Sequence, residues 1–320
     1  MKSIKTYLID KLGISARALS QNVSYEDQLS AEEGNAMIKQ VLRENNPSMI
    51  SRFGMSETAS LVTYHQIEAL QNSGTLGKLI KKQLNYVEDW DDSLKNSLRD
   101  LVGFFPTNRQ NLVKFSEFYP ECVKEIDAIG VWGFVPGESF IIKKFCNTAV
   151  KYNPVSLEPY YFDRPWSSSL KEKKVLVIHP FTHSIINQYK NRELLFKNQE
   201  TLPEFDLETI TAVQSIAGNK TNFKTWFEAL NWMQNEIDKI EFDVALIGAG
   251  SYGIPLSAYV KRKGKIAIHM GGSLQLYFGI KGKRWDDHEI ISKLYNKHWV
   301  RPSEDEIIPD AQKVEGACYW

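Results

Sequence analysis

Residues 242–273, FDVALIGAGSYGIPLSAYVKRKGKIAIHMGGS, read as a strand, a glycine turn, a helix and a second strand, and few architectures accommodate that unit. Val244 to Ile247 is a continuous apolar run, the pattern of a parallel strand covered on both faces. Gly248, Gly250 and Gly253 punctuate the turn, and a helix from about Tyr252 to Lys263 stops at Gly264. Lys265 to Met270 supplies the next strand, and Gly271-Gly272 opens another turn. In a doubly wound sheet both turns stand at the carboxyl ends of neighbouring strands, where such folds bind ligands.

A Gly-x-Gly-x-x-Gly in this context is a dinucleotide fingerprint when an acidic residue about 20 positions on holds the ribose. Here Ile268, His269, Met270, Gly271 and Gly272 occupy that place, so no NAD is expected. The turn from Gly248 through Gly250, Ser251, Tyr252 and Gly253 is instead a candidate for another phosphate-bearing ligand, with Gly271 and Gly272 beside it. The plainer alternative is that the glycines allow strand and helix to pack closely.

Lys plus Arg and Asp plus Glu both number 39, so no global field favours nucleic acid or an anionic membrane, and any polyanion site is local. Cys122, Cys146 and Cys318 lie far apart without a Cys-x-x-Cys spacing, as ordinary thiols of a reducing compartment do. No window approaches about 18 consecutive apolar residues, and the cytoplasm is the default location. The first twenty residues read as an amphipathic helix, with Leu8, Leu12 and Ile14 near Lys2, Lys5 and Lys11. Packing onto the body is expected of it; peripheral contact with the inner membrane face is the alternative. Exposed aromatics on a neutral surface make a homodimer reasonable.

Along the chain, Ser30 caps a helix running to about Glu44, Ser48 to Phe53 is a short buried strand, and a helix from about Ser56 to Leu70 follows Gly54. Arg52 and Glu57 therefore stand at a strand-to-helix turn. They form either a polar cluster for a diphosphate with a sugar hydroxyl or metal, or a salt-bridged helix N-terminus. Thr107 or Asn108 caps a helix toward Glu125, Ile129 to Trp132 is a strand, and Pro154 to Phe162 reads as a strand or extended edge. A domain junction is placed near residue 165, separating an α/β part, 1–164, from a second, 165–320, unless this is a loop within one continuous sheet.

From Val175 the pattern is regular: strand 175–178, a helix to about Lys197, strand 207–213, and an amphipathic helix 223–239. The alternation predicts an α/β fold, a Rossmann-like doubly wound, mostly parallel sheet with an α-rich N-terminal part. His179 at a strand end is a base, a phosphate contact or a structural hydrogen bond, and Ser184 a phosphate contact or an N-cap. Lys281, Lys283 and Arg284 in a glycine-bearing loop either close over a diphosphate or face solvent. The apolar, aromatic ending, residues 314–320, is expected to dock and to bring Glu315 to the cleft.

Ser51-Arg52-Phe53-Gly54-Met55-Ser56-Glu57 resembles the Arg-Phe/Tyr-Gly-Asp-Gly-Glu signature of the GT-D type glycosyltransferases. Asp243 to Gly250 followed by Lys265 to Gly272 resembles that family's later strand, glycine turn and strand. The resemblance implies a Rossmann-like enzyme that moves a sugar from a nucleotide-sugar donor to a bacterial glycan or lipid-linked glycan acceptor, as in capsule, O-antigen or glycoprotein glycans. Arg52, Phe53, Gly54 and Glu57 match the signature. The family's Asp-x-Glu pair is associated with metal and donor binding, and Met55 stands where the aspartate should be. A thioether does not ligate Mn2+ or Mg2+ as a carboxylate does, so Glu57 is the one metal candidate and metal dependence is in doubt. Lys281, Lys283 or Arg284 then become candidates to neutralise the leaving diphosphate. Glu57 is the acceptor base or a donor-orienting group, with His179 and Glu315 as alternative bases. The competing readings are an NAD-dependent oxidoreductase and a non-catalytic ligand-binding protein of a polysaccharide locus.

Overall fold

The structure, a computed structural model, describes residues 25–72 and 89–320, so the N-terminal amphipathic segment and its proposed membrane contact lie outside the described residues. The first described helix, α1 (Ala31–Glu44), opens with a capping box: Ser30 Oγ accepts the Glu33 N–H, and the Glu33 carboxylate accepts the Ser30 N–H at 2.9 Å. Pro47 follows it, then β1 (Ser48–Arg52) and, after the Phe53-Gly54 turn, α2 (Met55–Gln71). Asp91 and Asn108 cap α3 (Asp92–Asp100) and α4 (Arg109–Val123) through their side chains. Next come β2 (Ala128–Gly130), α5 (Glu138–Phe145) and β3 (Val150–Tyr152). The second half runs β4 (Lys174–His179), α6 (Thr182–Tyr189), β5 (Asp206–Thr211), α7 (Trp226–Ile237), β6 (Val244–Ile247), α8 (Gly253–Arg262) and β7 (Ile266–His269). Two single-turn helices, α9 (Leu274–Tyr277) and α10 (Ile291–Leu294), lead into a tail of loops and 3-10 turns.

All described strand pairs are parallel, in the order β3-β2-β1-β7-β6-β4-β5. The β1–β7 pair, with Met49 opposite Ala267 and Ile50 opposite Ile268, joins the two halves of the chain in one sheet. Side-chain alternation gives that sheet two cores. Met49, Ile129, Leu176, Ile178 and Ile247 face α2, α4, α7 and α8 on one side; Ile50, Val175, Val177, Leu246 and Ile268 face α1 and α6 on the other. Each such side chain, removed wholly from water, contributes about 1.5–3 kcal/mol. The chain is thus a doubly wound, parallel α/β fold of Rossmann type.

Two details differ from the sequence reading. Residues 154–162 form two 3-10 turns, Pro154–Leu157 and Pro159–Tyr161, because each proline sits at a turn start and withholds its N–H from any ladder; the edge strand is β3, just upstream. The helix after β4 ends at Tyr189, well before Lys197. Trp166, next to residue 165, is fully buried and stacks on Tyr277 at 6.3 Å.

Strand order decides where a ligand can enter. After β4 the chain moves outward to β5, whereas after β6 it moves inward to β7, so the two crossovers leave a crevice between the carboxyl ends of β4 and β6.

Candidate functional site

A cleft of about 600 Å³ opens at that crevice and extends along the carboxyl ends of β1, β2, β5 and β7. Its size is that of a site for a small organic ligand. Its floor is the β1–α2 turn. Arg52, Phe53, Gly54, Met55 and Glu57 all line it.

Glu57, in the first turn of α2, is only 5% exposed, and its Oε2 is buried without a hydrogen-bond partner. Burial raises its pKa above the ordinary carboxylate range; its own backbone N–H and the Arg52 cation oppose that rise incompletely. Gly54 makes the arrangement feasible, since a Cβ there would run into the Glu57 carboxylate. Arg52 has a buried Nε without a partner and makes no ion pair among the described residues. Its guanidinium lies 5.3 Å from the centre of the Trp132 ring and against Gly271, where a Cβ would collide with it. Gly271 also sits at φ +64°, a conformation that suits glycine. Met55 is 56% exposed at the cleft wall.

The glycine turn lines the cleft, but the protein itself fills it. A Cβ at Gly248 would meet the Gly271 carbonyl oxygen at 2.6 Å, one at Gly250 the Val102 carbonyl oxygen at 2.9 Å, and one at Gly253 the His269 ring. Three of the turn's donors are also engaged: Gly248 N–H to Ile178 O, Ser251 N–H to Val102 O and Tyr252 N–H to Ala249 O. Ser251 is fully buried, its hydroxyl donating to Val102 O at 2.7 Å and accepting from Trp226 Nε1 at 2.8 Å. Tyr252 stacks on Trp226 with ring centres 5.0 Å apart. The close-packing alternative thus describes much of this turn, with the loop after α3 supplying the Val102 carbonyl against it.

Two histidines end the adjacent strands. His179 is buried, and its Nδ1 accepts the Phe181 N–H at 3.0 Å, which leaves the proton of the neutral ring on Nε2. Burial lowers its pKa to about 3. His269 stands where a dinucleotide enzyme would carry its ribose-binding acid; its Nδ1 lies 3.0 Å from Ser51 Oγ. Burial, aided by the Arg52 charge, lowers its pKa to about 3 as well.

Ser184 does not line the cleft. Its N–H donates to Glu306 Oε1 at 3.1 Å and its hydroxyl bonds Glu306 Oε2, so both groups are committed to the C-terminal segment. Lys281 and Lys283 also stand off the cleft wall, Lys281 over the Tyr295 ring and Lys283 donating to Gly316 O at 3.1 Å. Arg284 and Glu315 do reach it, paired with each other. The tail is docked: Trp320 packs on Phe181 at 6.0 Å, and Gln275 Nε2 donates to Tyr319 O at 3.0 Å.

Sequence reading did not single out the wall formed after β2. Trp132 and Phe134 line the cleft there, with Phe134 59% exposed. Buried Glu138, accepting the Gly133 N–H at 2.9 Å, anchors their loop. The available signal was the Trp132-Gly133-Phe134 triplet directly after a strand.

The chain matches no protein-family model, and no curated protein is similar to it in sequence. Two solved structures are distantly similar. One is described as a selenomethionine-substituted structure of domain of unknown function 1792; it is 13% identical, with 94% of this chain and 96% of that chain covered, at a TM-score of 0.37. The other is described as showing that this highly conserved domain "has a distinct glycosyltransferase fold"; it is 14% identical over the same shares of both chains, at a TM-score of 0.32. Superpositions this loose pair no individual residues.

Proposed function

We propose that this protein is a glycosyltransferase that moves a sugar from a nucleotide-sugar donor to a hydroxyl of a bacterial surface glycan. The observation that carries the reading is the buried, unpartnered carboxylate oxygen of Glu57 on the floor of the cleft, beside a guanidinium that also has an unpartnered nitrogen. Both residues line the cleft, so a ligand or water there can complete these atoms.

Of the three candidate bases, Glu57 has a buried carboxylate oxygen with no hydrogen-bond partner. His179 spends its Nδ1 lone pair on Phe181 and carries the proton on Nε2, so it presents a donor to the cleft. Glu315 is held by Arg284. Glu57 therefore takes the proton of the acceptor hydroxyl as that oxygen bonds the anomeric carbon, while the bond from that carbon to the donor phosphate breaks and its electron pair leaves with the phosphate oxygen. A raised pKa makes the carboxylate a better proton acceptor, and the reaction needs it ionised. The acid limb of the rate profile accordingly lies above the usual carboxylate range.

The test is donor turnover, read as nucleotide release from UDP-, GDP- and dTDP-linked sugars by wild type and Glu57→Gln. Loss of turnover with donor binding kept, seen as an unchanged thermal shift, supports the assignment. Undiminished turnover removes Glu57 from the chemistry, and binding without turnover in wild type favours a non-catalytic ligand-binding protein.

A further inference from the structure

Departure of a nucleotide from a sugar places new negative charge on phosphate oxygens, and something must meet it. Among the described residues that line the cleft, Arg52 and Arg284 are the two cationic side chains. They converge on Tyr319. Arg284 lies 4.9 Å from the centre of that ring, and the ring edge packs on Gly272, next to the glycine that seats the Arg52 guanidinium.

A hard divalent cation is a common partner of a diphosphate and wants an oxygen-rich shell. The cleft supplies one uncommitted carboxylate, Glu57, and a guanidinium stands beside it. Glu315 is tied to Arg284, Met55 offers a thioether, and no group of three His, Cys, Asp or Glu side chains among the described residues can hold a metal ion. These donors do not fit a resident Mg2+ or Mn2+.

Building on the transferase reading, we infer that the donor is a nucleoside diphosphate-sugar whose diphosphate is held by Arg52 and Arg284 in place of a divalent metal. Glu315 occupies Arg284 until the diphosphate displaces it. When the carbon–oxygen bond to the diphosphate breaks and the acceptor proton passes to Glu57, the nucleoside diphosphate gains one negative charge, which the two guanidiniums meet.

The backbone agrees with a displaceable Glu315. Glu315, Gly316 and Ala317 lie in succession at φ 48°, 70° and 67°, a left-handed run that two of the three side chains disfavour. The Arg284–Glu315 pair and the Lys283 bond to Gly316 O hold it, together with backbone bonds such as Gly316 N–H to Gln312 O. A competing anion on Arg284 releases the first of these and leaves the backbone bonds in place.

Titration calorimetry on the full chain tests this, with UDP, GDP, dTDP and inorganic pyrophosphate as probes, in EDTA and again in excess magnesium or manganese. Binding of a diphosphate in EDTA, little changed by metal, is expected. Arg52→Ala and Arg284→Ala should each weaken it by about tenfold or more, the loss of a charge-assisted contact. Glu315→Gln should tighten it, and Arg284→Lys should fall between Arg284→Ala and wild type. Circular dichroism and the unliganded Tm check that the variants are folded. Binding that appears only with metal, or is indifferent to Arg284→Ala, or is weakened by Glu315→Gln overturns the inference and leaves the transferase reading standing. Failure of every diphosphate and every nucleotide sugar to bind in either condition overturns both.

Discussion

A carboxylate buried with one oxygen unpartnered destabilises the fold that holds it, and Glu57 is in that position. Its folded pKa is raised, so it favours the native state below the unfolded carboxyl pKa and opposes it as pH climbs through the folded value. Neutral pH lies above the unfolded carboxyl pKa, so the penalty acts there. Glu57→Gln should therefore raise Tm at pH 7 while lowering turnover by about 10²–10⁴, the usual worth of a positioned base. A lower Tm together with retained turnover would mean that Glu57 is a structural anchor. Gly54→Ala is the complementary change. Position 54 is not among the left-handed residues, yet a methyl there strikes the carboxylate. Turnover should fall while the protein stays folded by circular dichroism, and wild-type activity in this variant would show that the carboxylate works equally well elsewhere.

At the scale of elements, the β6–turn–α8–β7 unit was legible because its signals are local: an apolar run, three glycines and a helix stop within about thirty residues. What occupies the turn was not legible, since Val102 lies 149 positions from Ser251, whose hydroxyl bonds it. The same limit hid the wall of Trp132 and Phe134, which gains meaning only once β2 is known to lie beside β1. Arg52 and Glu57 were visible as a pair, but whether they bridge each other depends on side-chain geometry, and they do not pair by a direct hydrogen bond or ion contact among the described residues. The turn itself gives a prediction. Ser251→Ala removes one bond to Val102 O and strands the buried Trp226 Nε1, at a cost of about 1–3 kcal/mol. The urea midpoint should fall with an unchanged m-value. A midpoint equal to wild type would show that the stack of Tyr252 on Trp226 holds the turn alone.

For the molecule as a whole, the carboxyl edge of the sheet is where folding and pH meet. His179 and His269 end β4 and β7, both buried, and burial lowers each to about 3. An unfolded histidine titrates near 6.5. Because the folded pKa values are depressed, these residues contribute stability that is present above pH about 6.5 and drains away as pH falls toward about 3. His65, lowered by burial and the nearby Lys144 charge, acts in the same direction. Glu57, Glu138 and Glu158 act oppositely, since burial raises their pKa values and acid favours their protonated, native forms. The two sets therefore oppose each other, and the histidine contribution is read by difference against a histidine variant between pH about 6.5 and 5.5. There each histidine that binds a proton only when unfolded adds a slope that grows toward about 1.4 kcal/mol per pH unit as the unfolded imidazole fills. Urea unfolding followed across this range should show His269→Gln losing less stability with acid than wild type, by about one histidine's share. Equal loss of stability with acid in wild type and His269→Gln would mean that His269 binds its proton in the native cleft as readily as in the unfolded chain.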